Sequence, residues 1–91
     1  MKLITDNRSR GWEAHLIKGT PIGIEKLDRG CWLVYRVWGG ERVYISHEVS
    51  RYGKKERDTR FFPSRASALE YASQEAERYR ANIVVTEEVS A

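Results

Sequence analysis

The stretch Cys31–Ser50, CWLVYRVWGGERVYISHEVS, constrains the fold more than any other part of the chain. Two β-rich runs flank Gly39-Gly40. A Gly-Gly pair suits a two-residue type I′ or II′ turn, because both positions can take φ > 0 without a Cβ penalty. Such a turn sets the register. Trp38 then faces Glu41, Arg36 faces Val43, Val34 faces Ile45 and Trp32 faces His47. Side chains alternate along a strand, so one face carries Trp32, Val34, Val43 and Ile45. The other carries Leu33, Tyr35, Val37, Arg42 and Tyr44. The first face needs a cover, and the second remains rich in tyrosine.

The rest of the chain supplies strands before this hairpin and a cover after it. Trp12–Lys18 reads as a strand with Trp12, Ala14 and Leu16 on one side, followed by the turn signal Gly19-Thr20-Pro21. Ile22–Leu27 reads as a second strand, weakened by Gly23, and Asp28-Arg29-Gly30 as another turn. Residues 50–60, SRYGKKERDTR, read as a charged loop of net +3. Phe61-Phe62 returns the chain to the core. Ser64 is an N-cap, and Ala68, Leu69, Ala72, Ala76 and Tyr79 form an apolar stripe at helical spacing. The helix is expected over 64–82, ending where Asn82 can adopt αL. Ile83–Val85 is left as a short edge strand or a hydrophobic tail, and 86–91 are expected to fray. The fold class is therefore α+β: an antiparallel meander of three to four strands with one C-terminal helix packed on one face. A single domain over 1–91, with 1–10 as a polar N-terminal segment, is expected.

Composition narrows the function classes. Three Trp, five Tyr, two Phe and 41% hydrophobic residues exclude a disordered chain. The single thiol, Cys31, cannot form an intramolecular disulfide, which fits a reducing, cytoplasmic setting. The N-terminal MKLITDNRSR lacks the apolar core of a signal peptide, and no apolar run matches a membrane span. The net charge of +3 is uneven. Residues 1–60 hold thirteen Lys/Arg against eight Asp/Glu (net +5), and residues 61–91 hold three against five (net −2).

The order of aromatic strand, glycine turn, second strand and F-x-S-x-x-x-A-x-x-x-A is carried by Trp32, Val34, Gly39, Gly40, Phe62, Ser64, Ala68 and Ala72. In this it resembles the AP2-like arm-binding domains of phage integrases. The resemblance covers about half the chain and implies a sheet-plus-helix fold that reads DNA through its sheet. Trp38-Gly39 is also similar to the start of the nucleic-acid-binding WGR motif, although Gly40 stands where that motif has arginine.

Catalytic constellations are not expected. Cys31 and His47 fall on opposite faces in the hairpin register, so they do not form a dyad. His47, beside Trp32, reads as a partly buried strand residue. His15, His47 and Cys31 lack the spacing of a metal site, and no cofactor or small-molecule substrate is expected. Basic groups interleaved with aromatics are instead the recipe for nucleic-acid contact, because cations neutralise phosphates and rings stack on bases. The candidate contact residues are Tyr35, Arg36, Trp38, Arg42, Tyr44, Arg51, Lys54, Lys55, Arg57 and Arg60. They predict a non-enzymatic module that binds nucleic acid through the outer sheet face and the basic loop. The alternative is a phage or mobile-element protein that inhibits a host protein or nucleoprotein complex, as an anti-CRISPR protein does. A nucleic-acid binder should show Arg36 or Arg42 with Lys54, Lys55 and Arg57 as one positive surface. A protein binder should show an apolar patch rimmed by mixed charges.

Overall fold

The Gly39-Gly40 turn forms with φ of 59° and 82°, as a type I′ turn requires. It sits within a computed structural model that describes residues 2–6, 13–27 and 29–90, with side chains through residue 83. The elements run β1 (Leu3–Thr5), β2 (Ala14–Ile17), β3 (Ile22–Lys26), β4 (Trp32–Trp38), β5 (Glu41–Tyr44), β6 (Ser46–Arg51), β7 (Lys54–Thr59) and α1 (Arg65–Ser90). Strands β1 to β5 form one antiparallel sheet in sequence order, and β6 and β7 form a separate two-stranded ribbon. The fold is α+β with one C-terminal helix, and it has more strands than the three or four expected. Trp12 and Asp28, assigned to a strand and a turn from the sequence, lie outside the described residues. So do residues 7–10 of the N-terminal segment and Ala91.

The β4–β5 register matches the sequence reading as far as Tyr44: Trp38 faces Glu41, Arg36 faces Val43 and Tyr35 faces Tyr44. The Ile45 amide still donates to the Val34 carbonyl at 2.9 Å, and then the chain leaves the sheet. The partner of Trp32 is Phe62, not His47, with two reciprocal backbone bonds of 2.8 Å. Phe62 brings a fully apolar ring into that place, so its burial is more favourable than that of an imidazole. His47 is instead exposed on the ribbon, opposite Asp58.

Residues 50–60 are likewise not a loop. Six consecutive pairs, from Ser46↔Thr59 to Arg51↔Lys54, close over the two-residue turn Tyr52-Gly53. Only Val49 among these residues is aliphatic, so no apolar alternation marks the strands.

Helix α1 opens with Ser64 as its N-cap. The Ser67 amide donates to Ser64 Oγ at 3.1 Å, and the Ser64 amide donates back to Ser67 Oγ at 3.3 Å. This is a capping box with serine in place of the usual acid. The helix packs across β2, β3 and β4. Ala68, Ala72 and Ala76 are all 0% exposed and meet Ile17, Ile22, Ile24, Trp32, Val34 and Phe62. Alanines bring the helix backbone close enough for these larger side chains to fill the layer between. The helix does not reach β5, so Val43, expected beneath it, is 54% exposed. Ile45 is partly buried at the margin of the core.

The helix also continues past Asn82 to Ser90, rather than ending at 82 or giving way to a strand at 83–85. No Gly or Pro interrupts residues 83–90, so nothing local stops propagation. The radius of gyration is 14.8 Å, against roughly 12 Å for a compact domain of this length.

Candidate functional site

The tyrosine-bearing sheet face is closed by its own side chains. Tyr35 is 0% exposed. Its ring lies across Gly23, where a Cβ would sit 2.5 Å from Tyr35 Cζ and 2.6 Å from the His15 carbonyl. Glycine is therefore required there by close approach, which explains its place inside a strand. The Tyr35 hydroxyl donates to the Asp6 carboxylate at 2.7 Å. The Arg42 guanidinium stacks over the Tyr35 ring, 4.7 Å from its centroid. It also pairs with both Asp6, at 2.9 Å, and Glu25. The Tyr44 hydroxyl donates to Glu25 at 3.0 Å.

These five groups form a mostly buried network of hydrogen bonds and ion pairs, in which Arg42 Nη2 lies beside Asp6 as an ion pair without a hydrogen bond of its own. Burial, with the hydrogen bond and charge of Asp6, holds the Tyr35 phenol well above its ordinary range. Burial and Glu25 raise that of Tyr44. Burial works to lower the pKa of Arg42, but Tyr35, Asp6 and Glu25 overcome it and the net shift is upward. Removing one partner of such a buried pair strands a charge, at a cost of about 3–5 kcal/mol. Tyr35 and Arg42, expected to meet a partner, are thus parts of the interior. The sequence reading missed Asp6 and Glu25, because a lone acid on a strand gives no sign of the arginine that the register brings beside it.

On the helix side of the sheet, Arg36 reaches over two rings, 5.4 Å from the Trp38 centroid and 5.6 Å from that of Tyr79 on α1. Trp38 (68% exposed) and Val43 lie on that face beyond the edge of α1, with Glu41 opposite Trp38. Arg60 stacks on Phe62 and Tyr71, at 4.9 and 5.1 Å. It borders a shallow cleft of about 340 Å³ between Phe61 and α1, in which Glu70 is the one carboxylate.

Strand alternation divides the basic residues of the ribbon. Arg51 and Lys54 share a face with His47, Glu56 and Asp58, while Lys55 and Arg57 share the other with Glu48. Cross-strand pairs hold each face together. Arg51 meets Asp58 at 2.6 Å, Lys55 meets Glu48 at 3.7 Å, and Arg57 donates to Ser46 Oγ at 3.1 Å and to its carbonyl at 3.0 Å. The single positive surface expected of Arg36 or Arg42 with Lys54, Lys55 and Arg57 therefore does not exist.

What the fold does bring together is the tip. Residues 49–55 hold Arg51, Lys54 and Lys55 and no acid. At their centre stands Tyr52, fully exposed and in a left-handed conformation with φ of 51°. The sequence reading did not single out Tyr52. The dipeptide Tyr-Gly, at the middle of a charged run, was the available signal.

Among the described residues, no three His, Cys, Asp or Glu side chains cluster as metal ligands. No helix there is long and apolar enough to cross a membrane. No protein-family model matches the chain, and no match was found among curated proteins or solved structures.

Proposed function

We propose that this chain is a non-enzymatic nucleic-acid-binding module whose contact surface is the β6–β7 ribbon. The tip of the ribbon carries the reading. Arg51 and Lys54 on one face and Lys55 on the other flank an exposed ring there, with Arg51 also paired to Asp58 and Lys55 to Glu48, and the tip stands clear of the five-stranded sheet and of α1. Cations that displace phosphate counterions give affinity, and a ring gives a stacking platform. Arg57 adds a cation opposite Glu48 on one face of the ribbon, and Arg36 and Arg60 add charge elsewhere. The outer sheet face, with Tyr35 and Arg42 engaged inside it, is no part of this surface.

An electrophoretic shift titration with single-stranded and duplex DNA and RNA, repeated across salt concentrations, tests the reading. Affinity should fall steeply with salt. Replacing Lys54, Lys55 and Arg57 together by alanine should weaken binding and flatten the log–log salt slope by about 2–3, since each phosphate contact contributes roughly 0.7–0.9. An unchanged slope in the folded triple variant would remove the ribbon from the contact surface.

A second reading is supported by Trp38 and Val43, an exposed apolar pair rimmed by Arg36 and Glu41. Aromatic and arginine side chains of this kind anchor protein interfaces. On that reading the chain is a phage or mobile-element inhibitor of a host protein or nucleoprotein complex, of the anti-CRISPR kind. The Trp38→Ser variant would then lose the partner while the ribbon variants keep it.

A further inference from the structure

We propose that Tyr52 is a stacking residue that inserts against an unpaired base, so that the module prefers single-stranded to duplex nucleic acid. The proposal rests on the nucleic-acid reading above and deepens it. Both residues of the β6–β7 turn have positive φ, 51° at Tyr52 and 73° at Gly53. A type I′ turn of this kind is suited by Asn-Gly or Gly-Gly, and a bulky side chain in its first position is disfavoured sterically. Packing does not compensate, because the Tyr52 side chain is fully exposed. The turn therefore holds the wrong residue for its own stability and the right one for presenting a ring to something outside.

Position and charge indicate what that something is. Five residue steps separate the tip from the base of the ribbon, about 17 Å of strand. At that base the Arg60 amide meets the Ile45 carbonyl. The ring thus stands at the end of an arm beside Arg51, Lys54 and Lys55; Arg51 also meets Asp58 and Lys55 meets Glu48, and the turn itself carries no acid. A flat apolar group beside closely spaced negative charges is what such a tip complements, and a base attached to its phosphates is that combination. In a duplex the faces of the bases are covered by their neighbours. In a single strand they can be splayed out onto an aromatic side chain.

The test uses a labelled oligothymidylate, an oligouridylate and a DNA duplex of equal length, titrated with the full chain and with Tyr52→Asn, Tyr52→Phe and Lys54→Ala/Lys55→Ala. Asparagine suits the left-handed turn, so Tyr52→Asn should melt no lower than the parent. It should bind single strands about tenfold more weakly, with the salt slope unchanged and duplex binding unaltered. Tyr52→Phe should bind as the parent does. Lys54→Ala/Lys55→Ala should instead lower the salt slope. Tyr52→Asn binding single strands as tightly as a parent that does bind them would overturn the stacking role and leave the ribbon reading in place. So would Tyr52→Phe losing as much affinity as Tyr52→Asn, since its ring is intact. A parent that binds none of the three probes at low salt would remove both, and would turn the tip towards a pocket on a protein.

Discussion

Tyr35 and Tyr52 are two tyrosines with opposite fates, decided by what the backbone places around them. Tyr35 lies over a glycine, under an arginine and against a carboxylate, so its hydroxyl has no route to solvent. Burial and the negative charge of Asp6 favour its protonated form. The unfolded chain gives up phenol protons near pH 10, while the folded chain keeps those of Tyr35 and Tyr44. Above that pH the unfolded state binds fewer protons than the native state. The stability these phenols contribute is therefore complete below pH of about 10 and is lost as the pH rises through their raised folded values. Urea melts at neutral pH and in the alkaline range should show this decline. Tyr35→Phe should cost about 1–3 kcal/mol at neutral pH, because Asp6 loses a buried donor, and should make the alkaline decline shallower. A decline as steep in Tyr35→Phe as in the parent would place the titrating group elsewhere.

At the scale of elements, the strands with an apolar face were legible in the sequence, and the ribbon was not. Gly39-Gly40 announced β4 and β5 because alternation on either side gave the turn something to join. The alanine stripe announced α1 and the face it buries. Ala72, in the middle of that stripe, is fully buried. Ala72→Leu should destabilise the chain by about 1–3 kcal/mol through overpacking against the sheet, read as a lowered thermal midpoint. An unchanged midpoint would mean that α1 is not docked through this stripe.

In β6 and β7 nearly every side chain is polar and both faces are solvated, so periodicity carries no signal. Their ladder is supported by pairs such as Arg51–Asp58 and Lys55–Glu48, which are visible only once the register is known. The sheet face was misjudged for a related reason. Arg42 reads as a surface cation until Asp6 and Glu25, from two other strand regions, are seen to converge on it. The helix end was missed because αL at Asn82 is an option rather than a stop, and the β-branched residues beyond it, which read as strand formers, hold no Gly or Pro to break the helix.

For the whole molecule, the layout separates a self-contained body from an arm. The body holds the five-stranded sheet, the buried network on one face and α1 on the other. The arm is a two-stranded ribbon of the kind that is only marginally stable by itself, and it carries the exposed ring and the densest run of positive charge. On the proposed function, contact falls to the arm and stability to the body, so changes at the tip should leave the body intact.

The central claim is that the ribbon, not the sheet face, meets nucleic acid, and mapping amide chemical shifts during an oligonucleotide titration tests it most directly. The account predicts shifts concentrated between Ser46 and Thr59, largest around Tyr52, Gly53 and Lys54, with the amides of Gly23, Tyr35 and Glu25 unmoved. Shifts centred on the Tyr35–Arg42–Tyr44 face or on Trp38 and Val43, with the ribbon silent, would contradict it.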